Sequence, residues 1–280
     1  MAIQKLTDVT IYKPEKPVGF LGKIEQYWRS TGFRKDKIDR LTPNNTKTSN
    51  QLLATLQKYK WRGAEFGNWT SQDDRNTFVV AFIESSDTVA KLLGFNQLGM
   101  EYTIGVAFGA RGKGKAAAHF EPNTFMINLT KENGFGAFAH EYGHALDYFF
   151  GTFIEQEPGR LSLSGGSSTR RNYMPDRAKP MAQATCNLIN AIIQNGNNLS
   201  ESYQRWDEYA DSDYWLRRNE IFARWFEQYI HHLLDKKGKR NTYLTKDKYS
   251  GVFYLTPADF KRVLPLGNKL FKLFQEKVNS

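Results

Sequence analysis

In AHEYGHALD (139–147), two histidines stand four residues apart and a glutamate follows the first: His140, Glu141 and His144. On an α-helix, positions i and i+4 share a face one turn apart, so two imidazoles placed this way can reach one metal ion at about 2.0–2.1 Å. Glu141 is rotated to the side of that ion, where a carboxylate suits removal of a proton from metal-held water. The donor types predict zinc, one ion per chain, with manganese or cobalt compatible with the same geometry.

Two histidines leave a catalytic zinc short of a third protein ligand if one place is to stay open to water. A histidine six residues after His144 is excluded, because position 150 is Phe150. The downstream candidates are Glu201, Glu208, Glu220, Glu227, His231 and His232. RRNEIFARWFEQYI (217–230) is the best source, since Phe222, Trp225, Phe226 and Tyr229 would bury a helix there. Glu220 and Glu227 lie two turns apart on one face of that helix, and spacing leaves both open. Asp147, three residues past His144, could orient an imidazole from behind.

These residues need elements to hold them. SQDDRNTFVVAFIESSDTVAKLLGF (71–95) predicts a long helix with Ser71 as N-cap, acidic residues in its first turn and Gly94 near its stop. A shorter helix is expected over 51–61, broken at RGAEFGNW (62–69). YTIGVAFGA (102–110), AAAHF (116–120) and TFMINLT (124–130) predict strands, the last two joined by the turn EPN. The motif helix follows over 134–151, with Gly151 as its end. Helices are expected over 178–195, 200–210, 217–235 and 257–277, the last capped by Thr256. GRLSLSGGSSTRRN (159–172) has the composition of a mobile loop that could cover the cleft. The order predicts an α+β fold, a small, mostly antiparallel sheet beside the motif helix with helices after it.

Composition sets the surroundings. A chain of 280 residues with 40% hydrophobic residues can bury a sizeable core. No apolar run approaches the roughly 20 residues of a membrane helix, and the first residues lack a secretory signal. One cysteine, Cys186, excludes an internal disulfide and fits a reducing compartment, so cytoplasmic residence, or delivery into a cell, is expected. The formal charge of +10 gathers in RKDKIDR (34–40), RGKGK (111–115), STRR (168–171) and KKGKR (236–240), which makes nucleic acid a possible partner.

Three stretches, WRGAEFGNWTSQDDR (61–75), FGARGKGKAAAHFEPNTFMINLTKENGFGAFAHEYGHALDYFFG (108–151) and NEIFARWFE (219–227), resemble the large polyvalent protein-associated domain of the first type. That domain is zincin-like and occurs on bacteriophages and conjugative elements. HEYGH followed by NEIFARWFE also resembles the gluzincin pattern, and NEIFA places Glu220 at its third-ligand position. The resemblance spans about 51–235, leaving 1–50 as an arm or small subdomain and 236–280 as a basic loop and final helix. It implies a zinc metallopeptidase with Glu141 as general base, acting on host or phage proteins as an intracellular or virion-associated enzyme. Tyr214, six residues before Glu220, is the candidate for the hydroxyl that gluzincins direct at the developing oxyanion. His119, on a strand expected to line the cleft, is a further residue to follow. The alternative is a catalytically silent zincin-like module that binds nucleic acid or a protein through its basic surface.

Overall fold

A computed structural model describes residues 45–67, 70–110, 118–130, 136–155, 162–175 and 179–280. The α+β class read from the sequence holds: among the described residues a small four-stranded sheet and a two-stranded pair accompany predominantly helical structure. Two compact units emerge: the chain up to Glu141 with Arg240–Lys246, and Tyr142–Lys239 with Asp247–Ser280. The division falls inside one continuous helix, Phe138–Phe149.

The first unit contains α1 (Asn45–Lys58), β1 (Ala64–Phe66), α2 (Gln72–Leu93), β2 (Gly105–Phe108), β3 (Ala118–Glu121), β4 (Met126–Leu129) and the start of α3 (Phe138–Phe149). Helix α2 begins where its caps dictate. Ser71 accepts from the Asp74 amide while the Asp74 carboxylate accepts from the Ser71 backbone, and Gly94 closes the helix in the left-handed region at φ 66°.

The sheet order is β1-β2-β4-β3. β1–β2 and β2–β4 are parallel and only β3–β4 is antiparallel, so the expectation of a mostly antiparallel sheet is corrected to a mixed one. The connections explain this. Helix α2 carries the chain from β1 over to β2, and the chain after β2 lays β3 at the edge before β4 returns beside β2. β1 itself falls where a break was expected. Its three residues sit between two glycines and form a strand through the Gly67 amide on Phe108 O and the Val106 amide on Gly63 O.

Side-chain alternation gives the sheet two unlike faces. Ala64, Phe66, Val106, Phe108, Ile127 and Leu129 share the apolar one. Phe78 and Phe82 of α2 pack on it, their rings 5.3 and 5.8 Å from that of Phe108. Glu65, Ala107, Asn128 and His119 share the other face. The start of α3 is fixed in this unit: the Ala139 amide donates to Leu244 O at 3.0 Å, and Phe138 stacks on Tyr243. A carbonyl from the returning segment thus serves a first-turn N–H that the helix cannot satisfy itself.

The second unit holds the rest of α3, α4 (Pro180–Ile193), a short β5–β6 pair (Gln194–Asn195 and Asn198–Leu199), α5 (Glu201–Tyr209), α6 (Arg218–Lys236) and α7 (Pro257–Asn279). Gly151 does not end α3. The chain continues in a π-helical turn, Phe150–Ile154, in which a Cβ on Gly151 would meet the Ser162 backbone at 2.6 Å. Helix α6 is buried almost throughout: Phe222, Trp225 and Phe226 are fully inaccessible, with Phe271 and Phe274 of α7 in the same core. Helix α4 packs along α7. Thr256 caps α7 by accepting from the Asp259 amide.

The segment expected to be a mobile loop is anchored over 162–172; its first residues, 159–161, lie outside the described residues. Ser162, Leu163 and Ser164 are buried. The Ser164 amide and hydroxyl donate to the two oxygens of Asp147 at 2.8 and 2.6 Å. The fully buried Arg218 donates from Nε to Ser164 O at 2.7 Å and from Nη1 to Arg170 O at 3.0 Å. Of the segment 1–50, only 45–50 is described, as the first part of α1. The basic clusters at 34–40 and 111–115 also lie outside the described residues. No described helix is long and apolar enough to cross a membrane.

Candidate metal centre

Helix α3 carries His140, Glu141 and His144, and the first turn of α6 carries Glu220. What lets α6 come so close to α3 is a missing side chain. A Cβ on Gly143 would lie 2.9 Å from Phe226 Cδ1 and 3.4 Å from Ala223 Cα, so only glycine allows this approach. Ala223 follows Glu220 by three residues, and that contact carries Glu220 to His144.

His144 Nε2 and Glu220 Oε1 are 3.4 Å apart, and both residues are only 7% exposed. One ligand atom each from His140, His144 and Glu220 lies within 4.8 Å of the others. Two ligands bound to one ion at 2.0–2.1 Å in tetrahedral geometry sit roughly 3.4 Å apart. The His144–Glu220 separation therefore suits a shared metal, and the His140 ligand atom lies within 4.8 Å of both. Two imidazoles and a carboxylate are a donor set that zinc accepts, and His140 is half-buried where the other two are covered. These residues fit the ion that the sequence implies.

The other candidates have different surroundings. Glu227 is buried and accepts hydrogen bonds from Tyr249 Oη at 3.0 Å and Tyr254 Oη at 3.2 Å. His231 pairs with Asp235 at 3.3 Å, His232 packs against Phe260, and Glu201 and Glu208 are exposed. Glu141 is 6% exposed, next to His140 on α3. Tyr214 lies on the 3-10 turn Asp213–Leu216 ahead of α6, 40% exposed, its ring edge-on to Trp215 at 5.3 Å with the Arg217 guanidinium 5.7 Å away. His119 on β3 meets Glu121 at 3.3 Å.

Asp147 is fully buried, and its carboxylate receives the Ser164 amide and hydroxyl. Burial pushes its carboxyl up to about 6, against the opposing pull of the Ser164 hydrogen bonds and of His144 nearby. These bonds tie down the 162–166 loop behind the histidine helix. Arg224, one turn beyond Glu220, is buried between Trp206 (5.2 Å) and Trp215 (5.7 Å). Burial lowers its pKa and the nearby Glu220 charge raises it.

Tyr148 was not singled out in the sequence, although its signal was present. It follows His144 by four residues and so continues the face that carries His140 and His144. It is half-buried and hydrogen-bonded to the Asn219 side chain. Burial raises its phenol pKa first, followed by the charge of Asp147; the Asn219 bond opposes this, and Glu220 raises it further.

Residues 206–278 match the model of the large polyvalent protein-associated domain 1. The matched span holds α6 with Glu220 and continues through α7, so it includes most of the 236–280 stretch that the resemblance had left outside. It overlaps the expected 51–235 only over 206–235, and His140, Glu141 and His144 precede it. No curated protein and no solved structure matches the chain.

Proposed function

We propose that the chain is a zinc-dependent metallopeptidase, with His140, His144 and Glu220 as metal ligands and Glu141 as general base. The observation that carries this reading is the convergence of those three ligand atoms within 4.8 Å, although Glu220 follows His144 by 76 positions. Zinc held there would acidify water and polarise a peptide carbonyl. Glu141, fixed by the helix beside His140, takes the water proton as the oxygen adds to the carbonyl carbon. It returns that proton to the amine nitrogen as the carbon–nitrogen bond breaks. The low exposure of Glu141, His144 and Glu220 excludes most bulk water from this transfer.

The match to a polyvalent-protein domain supports an origin on a phage or other mobile element, with host or phage proteins as substrates. The test is incubation of the zinc-loaded protein with a bacterial lysate and mapping of new protein N-termini. Wild type should generate them and Glu141→Gln should not, while both hold zinc equally. Equal cleavage by the two proteins would refute the proposal.

A further inference from the structure

We infer that Tyr148 is a catalytic residue whose hydroxyl donates a hydrogen bond to the substrate carbonyl oxygen at the His140–His144–Glu220 group. The inference deepens the metallopeptidase reading and rests on it.

His140, His144 and Tyr148 recur every fourth residue along α3, so they stand in one row on the helix. Long helical side chains lean toward the helix N-terminus and cover the turn before their own Cα. For Tyr148 that is the turn of His144. One helical turn advances about 5.4 Å, within the reach of a tyrosine side chain. The phenol is therefore carried by the same helix that carries the two imidazoles.

Helix α6 also holds Tyr148, through Asn219. Asn219 Oδ1 accepts the Glu220 amide at 3.0 Å, which pins the asparagine side chain at the start of that helix. The Asn219 bond lowers the phenol pKa, as donation to the phenol oxygen does, so the amide nitrogen is the end that meets Tyr148 and the phenol oxygen accepts. Asn219 thereby ties Tyr148 to the residue adjoining the carboxylate ligand. A phenol that accepts from an amide keeps its own proton as a donor.

Tyr214, the hydroxyl expected in this role, belongs to a separate turn, and its ring is engaged by Trp215 and Arg217. Its placement depends on that turn, whereas Tyr148 is built on the ligand helix itself. A donor fixed before the reaction stabilises developing charge without reorganising.

The test uses full-length protein loaded with cobalt and titrated with acetohydroxamate, a small oxygen ligand, followed by the visible absorption of the cobalt. Tyr148→Phe should bind cobalt as tightly as wild type but acetohydroxamate about ten- to a hundredfold more weakly, the loss expected for one hydrogen bond to a charged oxygen. Asn219→Ala, which keeps the phenol but removes its tether, should weaken acetohydroxamate by a smaller factor. Equal binding by wild type and Tyr148→Phe would overturn this inference while leaving the metal centre intact. So would a loss seen in Tyr214→Phe and not in Tyr148→Phe. Failure of the wild-type protein to take up cobalt would remove the metallopeptidase reading, and the role of Tyr148 with it.

Discussion

Gly143 of α3 and Phe226 of α6 meet so closely that a methyl group on the glycine would stand 2.9 Å from the ring. Phe226 is fully buried, so the ring has little room to yield. Gly143→Ala is expected to cost about 1–3 kcal/mol of stability through overpacking, measured by denaturant unfolding. It should also push Glu220 away from His144 and weaken zinc binding. An alanine variant with unchanged zinc affinity would show that this approach does not set the ligand geometry.

Glu220 and Glu227 should separate cleanly by experiment. Glu220→Gln removes a charged ligand and should lower zinc affinity by at least about tenfold, with little change in the melting temperature of the metal-free chain. Glu227→Gln should leave zinc affinity unchanged. It should instead lose about 1–3 kcal/mol of stability, because two tyrosine hydroxyls lose a charged acceptor. Competition with a chromogenic chelator reads the first effect and urea unfolding the second.

The pH dependence of metal-free protein should report on Asp147. Burial raises its carboxyl from the ordinary 3.8 to about 6. Its folded value exceeds the unfolded one, so folding favours the protonated form. The stabilisation is complete below the unfolded value and is lost as pH rises through the window from about 4 to about 6. The loss is at most about 3 kcal/mol for a shift of this size. Asp147→Asn should flatten that part of the stability curve in urea titrations at successive pH values. A variant with the wild-type slope would assign the dependence to another group.

A second glycine marks the α6–α7 contact. A Cβ on Gly267 would fall 2.1 Å from Trp225 Cζ2, and Trp225 is fully buried. Gly267→Ala should therefore lower stability by about 1–3 kcal/mol or more, a loss visible in thermal unfolding. No shift in the melting transition would mean that the indole can move aside.

Local signals in the sequence were legible. Ser71, Gly94 and Thr256 marked helix ends because capping needs only neighbours within a few residues. The row of His140 and His144 followed from helical spacing alone. Features created at a distance were not legible. β1 is too short to show a period and becomes a strand only by pairing with β2, 42 residues on. The loop over 162–172 has a mobile composition, yet Asp147 and Arg218 tie it down. The surroundings of Glu227 depend on Tyr249 and Tyr254, which no spacing argument on α6 contains.

His140, His144 and Glu220 are proposed to hold one zinc ion between them. Purified protein, stripped with chelator and dialysed against zinc, should retain about one equivalent by elemental analysis, and His144→Ala should retain far less. Retention of no zinc by the wild type, or the same amount in the variant, would contradict the account.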